Sequence, residues 1–392
     1  MFSSRLPDTP GRNRLAVALD ARRAGGRPVI DLTLSNPTSA GFAYHEGIFQ
    51  ALAQERALRY EPEPFGLPSA REAVSGEFSR RGVEVPPNRT VLTSSTSEAY
   101  SLLFKLLCDP GDAVLAPRPS YPLVEHLTQL DGVSLEHYSL EFHGQWTIDI
   151  HGLKETLSSK AKKRIRAIIM INPNNPTGSL VKSAEIEALA ALACEHEVAL
   201  ISDEVFADYP IAGATCMSVL AQDAALSFAM GGLSKSIGLP QVKLGWIGVG
   251  GPVALVAEAM DRLETMCDAY LPVSTPVQVA APDLLRTGAD IRAQIHRRVR
   301  DNYATLVDTA SAHQSCSVLP VDAGWYAVIQ VPAIASEETL VVALLERTGI
   351  LVHPGYFFDF EREAFLVVSL LPESAVFSAA VQTLFEEIGR RR

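Results

Sequence analysis

Short apolar segments alternate with amphipathic segments through the middle of the chain, and this alternation constrains the fold more than any other feature. An extended apolar pattern at 89–96 precedes Ala99, Leu102 and Leu106, whose spacing predicts the inward face of a helix. The nearly continuous apolar run at 166–173 is typical of a strand in a parallel sheet that is covered on both faces. The repeated pattern predicts an α/β fold with a mostly parallel central sheet flanked by helices.

Polar segments follow the predicted strands at five places in this series. They are TSSTS at 93–97, PRPSYP at 117–122, NPNNPTG at 172–178, SDEVF at 202–206 and GGLSK at 231–235. Ligands of parallel α/β sheets bind at the carboxyl ends of the strands. Because all five segments occupy such ends, the sequence predicts that they form one site.

The overall charge limits the classes of partner. The chain has 392 residues, 47% of them hydrophobic, and a net charge of −11. This composition is typical of a globular protein and argues against a general nucleic-acid-binding surface. Basic clusters at 160–166 and 390–392 are interpreted as a solvated face and a tail.

The apolar segments and the cysteines indicate the cellular compartment to expect for the protein. No apolar run approaches the roughly 20 residues of a membrane span, and the start of the sequence lacks the pattern of a signal peptide. The five cysteines are widely spaced, and the nine histidines show no paired ligand spacing. We therefore expect a cytoplasmic protein with reduced thiols and no metal site.

Lys235 and Asp203 are the ionisable residues with the least usual surroundings. Lys235 lies among small and apolar residues, and burial would lower its pKa and make the neutral amine available as a nucleophile. Asp203 ends an apolar strand, where an ionised carboxylate is costly unless it is paired. A lysine on a solvated loop and an aspartate that caps a helix are the ordinary alternatives.

Two other segments could supply an anion site and an aromatic plane. The segment 93–97 runs from a strand into a helix, so its hydroxyls and free N–H groups would face an anion, although simple N-capping explains the same residues. Tyr121 could stack on a planar ligand or pack half-buried. An amine, a carboxylate, an anion site and an aromatic plane together are what pyridoxal phosphate needs from a protein.

The order of these motifs resembles that of the class I and II aminotransferases, which have the aspartate aminotransferase fold (pyridoxal-phosphate fold type I). NPNNPTG, SDEVF and LSK are similar to the asparagine, aspartate and lysine motifs of that family. Segments 31–38, 60–73 and 353–358 resemble its N-terminal loop, tyrosine segment and C-terminal segment. The resemblance covers nearly the whole chain.

The resemblance implies roles around the cofactor ring for four residues. Lys235 would be the catalytic residue, linked to pyridoxal 5′-phosphate as an imine and moving a proton between substrate and cofactor. Asp203 would pair with the ring nitrogen. Asn175 would hydrogen-bond the 3-oxygen of the ring, and Tyr121 would stack on the ring.

The resemblance also implies a phosphate site. Ser95, Thr96 and Ser97 would hold the phosphate, together with Lys243, which stands where an arginine is usual and would act as a point charge. Tyr60 would reach the phosphate from a neighbouring subunit. That last role implies a homodimer with shared active sites.

The implied architecture is a large cofactor-binding domain at 46–280 and a smaller α+β domain built from 1–45 and 281–392. The implied reaction moves an amino group from an amino acid or amine to a 2-oxo acid by a ping-pong mechanism. These small molecules are the expected partners, with no nucleic acid and no membrane.

Two further departures from the family pattern concern the cofactor ring and the substrate carboxylate. Phe206 replaces a tyrosine that donates to the 3-oxygen of the ring, and we expect its loss to raise the pKa of the imine. Val367 stands where the family has the arginine that holds the substrate α-carboxylate. Either Arg362 or Arg118 binds the carboxylate instead, or the substrate is not held as an ordinary α-amino acid.

Other functions remain open at this point. The main alternative is a pyridoxal-phosphate-dependent lyase, decarboxylase or racemase on the same fold, because the cofactor itself does the difficult chemistry. A nicotinamide-dependent oxidoreductase is a weaker alternative, since the segment at 247–253 has Val253 where a dinucleotide loop needs its third glycine. A non-catalytic regulator would carry a DNA-binding domain ahead of the fold, and we expect the residues before 31–38 to be too few.

Overall fold

The computed structural model describes residues 2–6, 11–159, 163–211, 213–313 and 315–390. Two predicted basic clusters are therefore covered only in part, because residues 160–162 and 391–392 lie outside the described residues. Strands and helices alternate through the middle of the chain, as the apolar pattern predicts.

The strands and helices of the described residues are numbered here in chain order. The strands are β1 (Ile30–Asp31), β2 (Thr90–Thr93), β3 (Ala113–Arg118), β4 (Ser134–Phe142), β5 (Trp146–Ile148), β6 (Ile165–Ile171), β7 (Ala199–Asp203), β8 (Ser227–Gly232), β9 (Gly245–Gly250), β10 (Ser317–Val318), β11 (Tyr326–Gln330), β12 (Ile350–Leu351), β13 (His353–Pro354) and β14 (Phe365–Ser369). The helices are α1 (Arg14–Ala24), α2 (Pro68–Arg80), α3 (Thr96–Leu107), α4 (Leu123–Asp131), α5 (Ile150–Ser158), α6 (Ser183–Glu195), α7 (Leu233–Ser236), α8 (Val253–Tyr270), α9 (Thr275–Thr287), α10 (Ala289–Ser311), α11 (Glu337–Thr348) and α12 (Ser374–Gly389).

Eight of the described strands form one sheet, in the order β2–β9–β8–β7–β6–β3–β4–β5. β3 pairs in parallel with β4 and β6, and the parallel pairing continues through β7 to β8. β9 runs antiparallel between β8 and β2, and β5 runs antiparallel at the other edge. The predicted mostly parallel sheet is confirmed, and β2, β3, β6, β7 and β8 all end on the same side of it.

The sequence of β6 shows why this sheet needs helices on both faces. Every side chain from Ala167 to Ile171 is buried. Ile168 and Met170 belong to one hydrophobic cluster, whereas Ala167 and Ile169 belong to another, since successive side chains of a strand point to opposite faces. The first cluster is completed by α2, α6 and α9, and the second by α3 and α8.

A second, smaller sheet has the order β10–β11–β14–β13 and is antiparallel throughout. Its hydrophobic core includes Trp325, Val367 and Phe377, all fully buried, and residues of α10, α11 and α12. β1 pairs in parallel with β12, with Ile30 opposite Ile350. This pairing joins the N-terminal segment to the C-terminal part of the chain.

The helix α9 spans the predicted boundary between residues 280 and 281. Its Val279 and Leu284 pack in the core of the large sheet, whereas Ile291 and Ile295 of α10 pack in the core of the small sheet. The predicted division into two domains stays a prediction.

Three further features of the described residues bear on the predicted class. None of the described helices combines the length and the apolar character needed to cross a membrane. Cys108, Cys194, Cys216 and Cys267 carry thiols. Across the described ranges, no three His, Cys, Asp or Glu side chains converge as metal ligands would.

Candidate active site

A cavity of about 440 Å³ lies at the side of the large sheet where β2, β3, β6, β7 and β8 end. Each of the five polar segments contributes a residue to its lining. These residues are Thr96, Tyr121, Asn175, Asp203 and Lys235. The five segments therefore meet in one place, as expected for the carboxyl ends of parallel strands.

Lys235 lies on α7, the single helical turn after β8. Its Nζ is 3.5 Å from the carbonyl oxygen of Ser35 and lies 5.0 Å from the ring centroid of Trp325 and 5.6 Å from that of Phe206. Burial lowers the pKa of Lys235 to about 8, a shift that the Asp203 carboxylate opposes. About half of the amine is therefore neutral at pH 8, so it can act as a nucleophile or a base.

Asp203 is the last residue of β7 and is buried in the lining of the cavity. Tyr100 Oη donates a hydrogen bond of 3.2 Å to Oδ2, and the backbone N–H of Val205 donates one of 3.2 Å to Oδ1. Burial raises the pKa of Asp203 to about 6, although the hydrogen bonds from Val205 and Tyr100 oppose this shift. The carboxylate is mostly ionised at pH 7, and a cationic partner would stabilise it further.

The loop after β6 contains two asparagines with different surroundings. Asn174 Nδ2 donates to the carbonyl oxygen of Pro119 at 3.1 Å and to Thr177 Oγ1 at 2.9 Å, which holds the loop. Asn175 Oδ1 is buried and has no hydrogen-bond partner among the described residues. A buried polar atom without a partner is rare in a folded protein, so Asn175 is available to bind a ligand.

The segment 93–97 forms the N-terminus of α3. Ser95 is the N-cap residue, and its Oγ accepts a 3.2 Å hydrogen bond from the N–H of Glu98. Gly245 packs against this turn, because a Cβ there would lie 2.9 Å from the carbonyl carbon of Ser95. Thr96 lines the cavity, whereas Ser95 and Ser97 do not. The N-capping interpretation is therefore correct for Ser95, and the first turn of α3 borders the cavity through Thr96.

Three predicted residues are partly or largely exposed. Tyr121 lines the cavity with 48% of its surface exposed, and its ring centroid lies 6.5 Å from that of Phe358. Lys243 is exposed in a left-handed backbone conformation, two residues before Gly245, and lies outside the lining. Tyr60 is 59% exposed and also lies outside the lining.

Sequence reasoning assigned no role to several cavity-lining residues, among them Ser35, Tyr100, Tyr326 and His353. Tyr100 is on the buried face of α3, four residues after Thr96, and the helical period could have placed it near the site. Ser35 and His353 belong to segments whose resemblance to the family was noted without a role for either residue. Tyr326 lies on β11 of the small sheet, and no local pattern distinguishes it.

Phe206 fills the place of the usual tyrosine with a buried ring. Its ring makes T-shaped contacts with Trp325, at a centroid distance of 5.3 Å, and with Tyr326, at 6.1 Å. The ring lines the cavity but offers no hydrogen-bond donor.

Val367 is fully buried at the centre of β14 and does not line the cavity. Arg118 Nε donates a 3.0 Å hydrogen bond to the carbonyl oxygen of Asp359, and Arg362 is exposed. Neither arginine lines the cavity. The side chains proposed to replace the missing arginine are therefore not in the site described here.

Similarity to known protein families distinguishes between the reactions that the cavity could support. The sequence profile of the family described as aminotransferase class I and II matches residues 28–380, nearly the whole chain. The chain belongs to this family.

The relatives of this aminotransferase agree with the match. An alanine aminotransferase of Mycobacterium bovis is 29% identical over 97% of this chain and 91% of that protein. The solved structure of an alanine aminotransferase from Pyrococcus furiosus superposes with a TM-score of 0.86 at 24% identity, over 96% of each chain. An aminotransferase from Escherichia coli superposes with a TM-score of 0.85 at 21% identity, over 99% of this chain and 98% of that one.

These similarities identify the fold as fold type I and the protein as an enzyme that transfers amino groups. The predicted family, fold class and reaction are confirmed. The alternative of a lyase or decarboxylase is not favoured, because the relatives named above are aminotransferases.

Proposed function

We propose that this aminotransferase holds pyridoxal 5′-phosphate in the cavity and moves an amino group from a small amino acid to a 2-oxo acid in a ping-pong cycle. When bound, the cofactor supplies an electron sink for the charge that develops at the substrate α-carbon. The observation that carries the proposal is the meeting of Lys235, Asp203 and the unpartnered Oδ1 of Asn175 in one cavity. The pKa of Lys235 is lowered to about 8 and the pKa of Asp203 is raised to about 6, which is typical of acid–base sites.

Lys235 is the catalytic residue in this proposal. Its neutral Nζ is suited to bond covalently to an aldehyde carbon and to take a proton from the substrate α-carbon and return one. The rings of Trp325 and Phe206 lie against Nζ. They exclude water from this side of the amine, which keeps its pKa low.

Asp203 and Asn175 provide the contacts that a pyridine ring with a 3-oxygen requires. A protonated ring nitrogen beside Asp203 would lower the pKa of the carboxyl again, so that the two charges stabilise each other. Tyr100 and the N–H of Val205 hold the carboxylate oxygens in place. Asn175 lines the cavity and would donate a hydrogen bond from Nδ2 to the 3-oxygen, and Tyr121 supplies an aromatic face.

The N-terminus of α3 is the proposed phosphate site. Thr96 lines the cavity, and with its neighbours Ser95 and Ser97 it would bring hydroxyls and N–H groups of the first turn to a phosphate at the positive end of the helix dipole. Lys243 adds a positive charge near the same turn as an exposed, flexible ammonium group. Its place two residues before Gly245, which touches Ser95, supports this role.

A homodimer would complete the phosphate site with Tyr60 from the neighbouring subunit. Leu58, Tyr60, Tyr270 and Leu271 are each at least 59% exposed. The short helical turn that ends at Leu58 packs on α9, and Tyr270 and Leu271 lie at the end of α8, just before α9 begins. Large exposed apolar side chains are typical of interaction sites, which supports association through these segments.

The division into 46–280 and 1–45 with 281–392 is part of the same proposal. Separate hydrophobic cores beneath the large and small sheets support it. We also propose a cytoplasmic location, supported by the thiols of Cys108 and Cys267, since a reducing compartment keeps cysteines in this state.

The test is the visible absorption spectrum of the purified protein with pyridoxal 5′-phosphate, before and after addition of amino donors. Alanine and glutamate come first, because relatives include alanine aminotransferases and a glutamate-pyruvate aminotransferase. We expect a band from the cofactor bound to Lys235, and its conversion to the amine form by at least one donor. The converted protein should regain the band when a 2-oxo acid is added.

Two variants separate this outcome from nonspecific binding. Lys235→Ala should lack the band, whereas Lys154→Ala, a change of an exposed lysine on α5, should keep it. A wild-type band that no amino donor converts would overturn the proposed reaction. A band that persists in Lys235→Ala would overturn the role of Lys235.

A further inference from the structure

None of the described residues that line the cavity is an arginine, although the proposed substrate carries a carboxylate. Among the cavity-lining residues that the structure describes, Lys235 and His353 are those with basic side chains. Lys235 is occupied by the catalytic role proposed above. His353 is therefore the basic side chain left for the substrate.

His353 lies opposite the position of the missing arginine, on the neighbouring strand of the small sheet. In the antiparallel ladder of β13 and β14, His353 is paired with Val367. Paired residues of such a ladder have Cα atoms about 4.5–5.5 Å apart. A basic side chain at 353 can therefore serve the same end of the cavity as one at 367, while Val367 itself stays in the core.

The ring of His353 belongs to an aromatic wall that runs along the cavity. Its centroid lies 5.7 Å from those of Phe357 and Phe358, and the ring of Phe358 lies 6.5 Å from that of Tyr121. Tyr121 is the residue proposed to face the cofactor. The imidazole is thus fixed by packing at one end of a wall whose other end borders the proposed cofactor site.

The charged groups around His353 come from several elements. Asp31 on β1 favours the protonated imidazole and raises its pKa, but burial has the larger effect and lowers the pKa of His353 below its ordinary value. On the neighbouring strand β14, the residues paired with His353 and Pro354 are Val367 and Leu366, whose side chains do not titrate.

Four more titratable groups belong to these surroundings. Glu337 of α11 is engaged by the backbone N–H groups of Tyr356 and Phe365. Tyr326, Asp203 and Lys235 share the cavity lining with His353. Among the described groups around His353, Lys235 is therefore the one other basic side chain.

We propose that His353 binds the substrate carboxylate, in place of the arginine that the family has at the position of Val367. This contact makes His353 the residue that selects 2-amino acids over amines. The proposal rests on the proposed function. In the free enzyme burial disfavours the charged imidazole and lowers its pKa, and a carboxylate beside it favours the imidazolium. Binding of the carboxylate therefore takes up a proton from solvent at His353.

The first experiment measures kcat and KM for a 2-amino acid and for the amine that lacks its carboxylate. In wild type we expect the amino acid to be strongly preferred. His353→Gln should raise KM for the amino acid about 10- to 100-fold, with a much smaller change in kcat and little change for the amine. His353→Arg should restore the low KM. The matched control is His151→Gln, an exposed histidine on α5, which should behave as wild type.

The second experiment needs no turnover. Propionate, a carboxylate without an amine, is titrated into the cofactor-loaded enzyme by calorimetry at pH 7.5, in two buffers that differ in ionisation enthalpy. Wild type should take up close to one more proton per propionate than His353→Arg, because any proton taken up at Lys235 is common to both proteins. Its affinity for propionate should rise as the pH falls toward 6, up to about tenfold per pH unit, and that of His353→Arg should change less.

The outcomes separate this inference from the proposed function. Equal conversion of amino acid and amine by wild type, or equal proton uptake in wild type and His353→Arg, would overturn the role of His353 while amino transfer stands. Failure of every amino donor, together with proton uptake that depends on His353, would overturn the proposed function and support the carboxylate site.

Discussion

Tyr100 Oη donates a hydrogen bond of 3.2 Å to Asp203 Oδ2 inside the large sheet's core, and both side chains are buried. The bond stabilises the ionised carboxylate, since a donor favours the charged form of an acid. A tyrosine on the apolar face of α3 therefore lowers the pH at which Asp203 loses its negative charge.

The first prediction concerns this bond. Tyr100→Phe removes a donor to the ionised form, so the pKa of Asp203, already raised to about 6 by burial, should rise by about 0.5–1 further. The acid side of the pH profile of kcat/KM should move to higher pH, with activity at pH 8 nearly unchanged. Tyr303→Phe, which loses a hydrogen bond from the N–H of Val321 outside the cavity lining, is the control and should not shift the profile.

The second prediction concerns Phe206. Phe206→Tyr restores a hydroxyl beside the cavity, where the buried ring now contacts Trp325 and Tyr326. A donor to the 3-oxygen of the cofactor should neutralise part of its negative charge and lower the pH at which the cofactor absorbance titrates. A spectroscopic pH titration of both proteins checks this. A midpoint in the variant that equals or exceeds the wild-type midpoint contradicts the assignment.

The third prediction concerns the charge at position 243. Lys243 is exposed, and an exposed ion pair contributes about 0.2–1 kcal/mol, so Lys243→Gln should weaken pyridoxal 5′-phosphate binding about two- to fivefold. Lys243→Arg should strengthen it, because a guanidinium can bind phosphate with two hydrogen bonds. Equilibrium dialysis of the cofactor gives the affinities. Lys154→Gln, which changes charge far from the cavity lining, should leave them unchanged.

The fourth prediction concerns the close approach of Gly245 to the turn before α3. In Gly245→Ala the added Cβ would lie 2.9 Å from Ser95 backbone and from Thr93 Oγ1, so the turn must shift. We expect a loss of about 1–3 kcal/mol in the free energy of unfolding and weaker cofactor binding.

Urea unfolding with and without the cofactor measures both effects of Gly245→Ala. Gly76→Ala is the matched control, because Gly76 is an exposed position in α2 where a Cβ meets nothing within 4 Å. That change should stabilise the protein by about 0.5–1 kcal/mol through the helix preference of alanine. Equal behaviour of the two variants would contradict the importance of the close approach.

The sequence was most informative where chemistry is tied to a strand end. Asp203 and Lys235 follow strands whose apolar runs are recognisable, and parallel strands bring such ends together whatever the loops between them do. The direction of β9 was less accessible. Its apolar pattern is like that of its neighbours, and its antiparallel pairing with β8 and β2 depends on the path of the connecting chain.

His353 and Tyr326 could not be predicted for a different reason. Both belong to short strands of the small sheet, and they reach the cavity only because that sheet packs beside the ends of the large one. No local period encodes such a contact. Ser95 illustrates a different limit. A helix cap and an anion site use the same residue types, so the sequence does not distinguish the two roles, and the structure shows only the cap.

The pairing of Ile30 with Ile350 has a consequence for how the protein is made. The segment that carries Ser35 is held by a strand synthesised long after it, so one wall of the cavity cannot form while the nascent chain is still short. The large sheet can assemble earlier, because its strands all lie between residues 90 and 250. A ribosome-bound chain should therefore acquire a folded sheet before it acquires a closed pocket, and chains released early should be globular but inactive.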